Sequence, residues 1–161
     1  MARVLIVTIS DRVAAGTARD LSGELAAELM AGAGFEVAAP RVVPDELELI
    51  AHLLVEAAEG GVDLVLTTGG TGLAPRDVTP EATKAVVERD ALGLVELMRT
   101  AGIAKTPLAA LSRAHAGVRG NTLIVNLPGS PKAVEESLEA LLPVLPHALR
   151  ILSGDGDHGA P

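Results

Sequence analysis

Apolar and polar positions fall into alternating blocks along the chain. "VLIVTI", Val4 to Ile9, is a short and mostly β-branched run, the pattern of a parallel strand buried on both faces. The polar "SDRVAAGTARD" after it reads as a loop. From Leu21, the residues Leu25, Ala26, Leu29, Met30 and Ala33 recur at helical spacing until Gly34 stops them. A strand is expected over 36–43. A helix is expected from Asp45, with Leu47, Ile50, Ala51, Leu54, Val55 and Ala58 on one face and Gly60-Gly61 at its end. "VDLVLTT" predicts a third strand. Thr79-Pro80 predicts an N-cap with proline in the first turn of a helix running to about Arg89, and a further helix spans 92–101.

"TPLAALSRAHAGVRG" predicts a short helical turn and a small strand. Leu123 to Val125 predicts another strand. Ser130-Pro131 opens a helix carrying Val134, Leu138, Leu141 and Leu142, which Pro143 and Pro146 bend or restart. Strands alternating with helices, without internal repeats, predict an α/β fold: one domain with a doubly wound, mostly parallel sheet and helices on both faces. That domain is expected to span 1–152, followed by a flexible tail, 153–161, "SGDGDHGAP".

Composition narrows the function classes. The chain has 161 residues, of which 48% are hydrophobic and only 1% aromatic, so one core must be built from Ala, Val, Leu and Ile. A net charge of −8 with no basic run argues against a nucleic-acid partner. Cysteine is absent, which excludes thiolate metal sites and a cysteine nucleophile. No apolar run approaches the roughly 18 residues of a membrane span, and no leader pattern opens the chain. The expected location is cytoplasmic, with no membrane partner.

In a parallel sheet all strands end at one edge, and ligands bind in the crevice outside it. Four loops should meet there: "SDR" after the first strand, "VPDE" after the second, "TTGGTG" after the third and "NLPGSP" after the last. Gly69, Gly70 and Gly72 permit positive φ and close backbone approach, so the N–H groups around Thr71 can form an anion nest. "PGSP", Pro128 to Pro131, leads into a helix N-terminus that offers a second anion site. Neither loop is a standard nucleotide fingerprint. Asp77 either closes a turn or, beside a phosphate nest, serves as a hard oxygen ligand for Mg²⁺. Asp45 with Glu48 either forms a capping box or joins Asp77 in that role. Arg76 either pairs with a phosphate or is solvated. No histidines are spaced as metal ligands.

The motifs "TTGGTG", "PRDVTPEAT", "LSR", "GVRG" and "NLPGSPKAV" together closely resemble the molybdopterin-binding family that includes molybdopterin adenylyltransferase and the G domain of gephyrin, from about Val4 to Leu152. The resemblance implies a doubly wound domain, usually a homotrimer, that transfers AMP from Mg-ATP to the terminal phosphate of molybdopterin and releases pyrophosphate. It assigns catalysis and Mg²⁺ to Asp45 and Asp77. Molybdopterin and its phosphate fall to Gly69, Gly70, Thr71, Gly72, Ser112, Pro128, Gly129 and Ser130. Ser10 and Asp11, which begin the loop after the first strand, either make a simple turn or stand on the nucleotide side. A sister branch of the family, or a scaffold-like molybdopterin-binding protein without adenylyl transfer, is the alternative.

Overall fold

The computed structural model describes residues 1–155, so the end of the expected tail lies outside the described residues. Strand β1 (Arg3–Ile9) is buried along nearly its whole length, as its unbroken apolar run requires. It pairs in parallel with β4 (Leu64–Thr68), and β4 pairs in parallel with β7 (Thr122–Leu127). These central strands carry two faces. Val4, Ile6, Leu64, Leu66, Leu123 and Val125 point into one core with helices α2 (Leu21–Gly32), α5 (Leu92–Ile103), α6 (Pro131–Leu141) and α7 (Leu145–Ser153). Leu5, Val7, Ile9, Val65 and Ile124 point into the other, with α3 (Leu47–Glu59) and α4 (Thr79–Val86). The result is the three-layer α/β architecture expected from the alternation.

The strand expected over 36–43 is two pieces, β2 (Glu36–Val37) and β3 (Arg41–Val43), both parallel to β1. Pro40 has no N–H to give the ladder, and the register gains one residue there, with Val4 opposite Val37 but Val7 opposite Arg41. On the far side, β6 (Ala116–Arg119) runs antiparallel to β7, and β5 (Arg89–Asp90) runs antiparallel to β6. The strand order is β2-β1-β4-β7-β6-β5, with β3 also on β1.

Several element ends differ from the pattern reading. A short turn of helix, α1 (Asp11–Ala14), occupies the expected first loop, because the Ser10 side chain accepts a hydrogen bond from the Val13 N–H at 3.2 Å. Helix α3 starts at Leu47, not Asp45, and Asp45 does not cap it. Helix α4 ends at Val86, where the chain turns to extended geometry at Val87 and enters β5. "PLAAL", Pro107–Leu111, is a 3₁₀ turn, as expected of that stretch. Ser130 caps α6 through the Ala133 N–H at 3.3 Å, and α7 restarts after Pro143. Among the described residues, no helix is long and apolar enough to cross a membrane.

Candidate active site at the carboxyl edge of the sheet

Strand β4 delivers the chain into "GGTG" with two successive positive φ angles, +92° at Gly69 and +69° at Gly70. A side chain at Gly69 would collide with the Ile9 carbonyl, and one at Gly70 with the Thr79 hydroxyl, so both positions are fixed as glycine by approach as well as by torsion. Thr79 does not cap α4: its hydroxyl donates to the Gly69 carbonyl at 2.9 Å, and its N–H donates to the Gly70 carbonyl at 3.2 Å. Arg113 closes the loop from the other side. Its Nε donates to the Gly72 carbonyl and its Nη2 to the Asp77 carbonyl, both at 2.7 Å, its N–H donates to the Thr71 carbonyl at 2.8 Å, and its Nη1 pairs with Glu81. With the carbonyls of residues 69 to 72 held, the N–H groups of Gly70, Thr71 and Gly72 donate to nothing among the described residues. Such groups are free to receive an anion.

Four acidic and basic side chains meet at this loop. The Asp11 N–H donates to Asp45 Oδ2 and the Asp45 N–H donates to Asp11 Oδ1, each at 3.0 Å, so the two loops are tied reciprocally. Arg76 then grips Asp11 with Nε at 2.6 Å and Nη2 at 3.0 Å, and the same Nη2 reaches the Asp45 carbonyl at 3.1 Å. Asp45 is therefore not a capping-box residue. Its carboxylate lies against Gly70, 3.1 Å from where a Cβ would stand, while the Asp77 carboxylate lies against Gly72 in the same way at 2.9 Å. Asp77 also takes the turn role: Oδ2 accepts from the Ala74 N–H at 3.1 Å.

The electrostatics of the two tied aspartates diverge. The Arg76 fork, then the Asp45 N–H, hold the Asp11 carboxyl below its ordinary range. Burial pushes the Asp45 carboxyl up, and the charges of Asp11 and Asp77 push the same way. Neither Asp45 nor Asp77 has a salt-bridge partner among the described residues.

"NLPGSP" closes the site from the far side. Gly129 packs against the Gly69 backbone, with 3.4 Å between its would-be Cβ and Gly69 Cα, and the Ser22 hydroxyl donates to the Gly129 carbonyl at 2.5 Å. Behind this contact, Asn126 is fully buried. It donates to the hydroxyls of Thr67 at 3.1 Å and Thr83 at 2.8 Å and accepts the His115 N–H at 3.0 Å, bolting β7 to β4, α4 and the entry of β6. Two cavities flank the loop contact. One of about 220 Å³ is lined by Ser10, Gly69 and Gly129; the other, about 270 Å³, by Ser112, Pro128 and Ser130, with Met98, Arg99 and Glu136.

The structure thus brings every residue singled out by sequence to one sheet edge, in three adjoining groups. Asp11, Asp45, Gly70, Thr71, Gly72 and Asp77 form the acidic nest, Arg76 is neither solvated nor free for a phosphate but spent on Asp11, and Ser10, Gly69, Ser112, Pro128, Gly129 and Ser130 line the two cavities. Sequence reasoning missed Arg113 and Asn126 as the residues that hold the loops. Both stand inside motifs already quoted, "LSR" and "NLPGSP", and a buried polar residue leading into a glycine turn is the signal that could have found Asn126.

Known proteins share this fold and much of this sequence. The family described as "Probable molybdopterin binding domain" matches residues 5–147. A molybdopterin adenylyltransferase of Helicobacter pylori (strain J99) is 41% identical, covering 93% of this chain and 87% of that protein. Gephyrin of Dictyostelium discoideum is 40% identical over 97% of this chain but only 23% of that protein. The crystal structure of the molybdopterin biosynthesis enzyme MoaB from Thermus thermophilus superposes with a TM-score of 0.90 at 56% identity, covering 97% of this chain and 99% of that one. The chain belongs to the molybdopterin-binding family.

Proposed function

We propose that this member of the molybdopterin-binding family is a molybdopterin adenylyltransferase of molybdenum cofactor biosynthesis, transferring AMP from ATP to the terminal phosphate of molybdopterin. A phosphate oxygen of molybdopterin attacks the α-phosphorus of ATP, the bond from that phosphorus to the β-phosphate bridge breaks, and pyrophosphate leaves. Such a transfer needs positioning and charge stabilisation more than a protein nucleophile. The observation that carries the reading is the pair of carboxylates, Asp45 and Asp77, set without a cationic partner against a glycine loop whose N–H groups are free.

The N–H groups of Gly70, Thr71 and Gly72 hold a phosphate, and the turn through Gly69 and Gly129 keeps the two substrate cavities adjacent. Ser112, Pro128 and Ser130 take the pterin side, and Ser10 and Asp11 frame the nucleotide side, where Asp11 acts through its tie to Asp45. The donor set fits Mg²⁺: Asp45 and Asp77 offer hard oxygen ligands, burial and like charge raise the cost of leaving Asp45 ionised alone, and no cluster of three such ligands exists among the described residues, so phosphates and water would complete the shell. When bound there, Mg²⁺ would neutralise the triphosphate as negative charge shifts to pyrophosphate. Self-association into a homotrimer belongs to the same reading, supported by apolar side chains left exposed at Leu73, Leu108 and Leu111. Its use of ATP fits a cytoplasmic site of action.

The test is mass spectrometry of products after mixing the protein with molybdopterin and Mg-ATP. Adenylylated molybdopterin with matching pyrophosphate is the expected result. Molybdopterin bound without pyrophosphate release would favour the sister branch.

A further inference from the structure

The 270 Å³ cavity is apolar over most of its wall, through Val95, Met98, Leu108 and Ala133, yet a carboxylate stands in it. Glu136 lies on the second turn of α6 with its side chain only 15% exposed, and its carboxylate accepts no hydrogen bond from the described residues. Its one ion-pair neighbour among the described residues is Lys105, whose Nζ lies 4.0 Å away, beyond hydrogen-bond distance, and is shared with Glu139 at 3.9 Å. A largely covered carboxylate with unused acceptor sites calls for donors from elsewhere. Arg99 lines the same cavity and commits Nη2 to the Ser112 carbonyl at 2.9 Å, leaving other donors of its fork available.

The wall explains which ring belongs here. A carboxylate presents two parallel acceptors. The pyrimidinone edge of a pterin offers two adjacent donors, the 2-amino group and N3–H. The edge of adenine offers only its 6-amino donor beside an acceptor, which a carboxylate repels. The cavity also opens beside Pro128 and Ser130, next to the Gly129–Gly69 contact, so a ring lodged in it would carry its phosphate arm toward the glycine nest.

We propose that Glu136 is the specificity-determining residue of this pocket: it accepts the 2-amino and N3–H donors of the pterin, and so assigns this cavity to the pterin and not to adenine. The inference rests on the adenylyltransferase reading for the identity of the ligand. Lys105, 4.0 Å from the carboxylate, makes no hydrogen bond to it and leaves its acceptor sites open, and Arg99 is placed to donate to the ring's acceptors.

The experiment compares two soluble probes by fluorescence titration, 6-hydroxymethylpterin phosphate and its lumazine counterpart, in which the 2-amino group is replaced by oxygen. The full-length protein should bind the pterin more tightly by about 10- to 100-fold, the span of one charged hydrogen bond. Glu136→Gln, whose amide can donate to the lumazine oxygen, should erase or reverse that preference while keeping the melting temperature and the binding of ATP. A Glu136→Gln protein that retains the wild-type preference overturns the proposal, and so does a wild type that binds both probes equally. Adenylylation of molybdopterin by the wild type, measured in parallel, separates this failure from failure of the enzyme reading itself: product with no discrimination sinks only the role of Glu136, whereas no product and no pterin binding sinks both.

Discussion

Asp11 and Asp45 hold each other by the same pair of hydrogen bonds at the same 3.0 Å distance, yet their surroundings treat their charges in opposite ways. Arg76, from the loop after β4, gives Asp11 a bidentate fork that satisfies its charge. Asp45 is half-buried and faces the charges of Asp11 and Asp77, its carboxylate accepts a single N–H, from Asp11, and the Arg76 charge nearby makes no ion pair with it. One aspartate is finished within the fold and serves as scaffold; the other is left with charge that the protein does not balance, which is what a cation or a ligand that brings one can use.

Removing charge from the unbalanced side should have the largest consequence. Asp45→Asn and Asp77→Asn each preserve the acceptor used by a backbone N–H, so both should fold and bind molybdopterin while losing single-turnover adenylyl transfer by about 100-fold or more, roughly 2.7 kcal/mol of barrier. Near-normal turnover in either variant would reduce that residue to its turn or tether role. Gly70→Val comes next. It forces a β-branched residue into positive φ, at about 1–2 kcal/mol, and drives a side chain into Thr79 and toward Asp45. Pterin-phosphate binding should vanish in titration, with melting lowered by about 3 °C or more.

Arg76→Ala tests the balanced side. It should leave Asp11 looking like Asp45: the Asp11 carboxyl, followed by NMR, should titrate at higher pH than in wild type. The part of stability that depends on Asp11 is present above the ordinary carboxylate pKa and lost as pH falls through its depressed folded value, so the variant's loss of stability should be largest near neutrality and shrink in strong acid to what the Arg76 bond to the Asp45 carbonyl contributes. An unchanged Asp11 titration would show that the ion pair is idle in solution. The smallest effect is at Asp45. Its folded pKa is raised, so ionisation costs stability that is absent at low pH and grows as pH rises through the folded value. Asp45→Asn should therefore melt higher than wild type at pH 7, by about 1–2 °C after solvent screening, with the gain fading in acid. A lower melting point at pH 7 would show that its charge is compensated after all.

Much of this edge was legible because alternation fixes which strand ends share a side, and four loops rich in special residues then had to meet. What could not be read was who partners whom. Asp45 and Glu48 have the spacing of a capping box, a local pattern, but the N–H that Asp45 takes belongs to Asp11, 34 positions earlier. Thr79 likewise has the sequence context of a cap, and its hydroxyl instead reaches back ten positions to Gly69. Short-range rules describe the isolated segment, and at this edge tertiary contacts override them. Arg113 escaped for the same reason, since its four partners come from residues 71 to 81. Ser130, whose cap is local in the fold too, was read correctly.

Pro40 has an effect far from the site. A chain that is 48% hydrophobic would invite association if its sheet ended in a long bare strand. Here one rim is two short pieces interrupted by a residue with no N–H, and the other is the two exposed, charged residues Arg89 and Asp90. Neither rim offers a run of open backbone groups on which a neighbouring molecule could add a strand. Concentrated solutions should stay clear while the fold is intact, and on heating turbidity should begin only with the melting of the central strands.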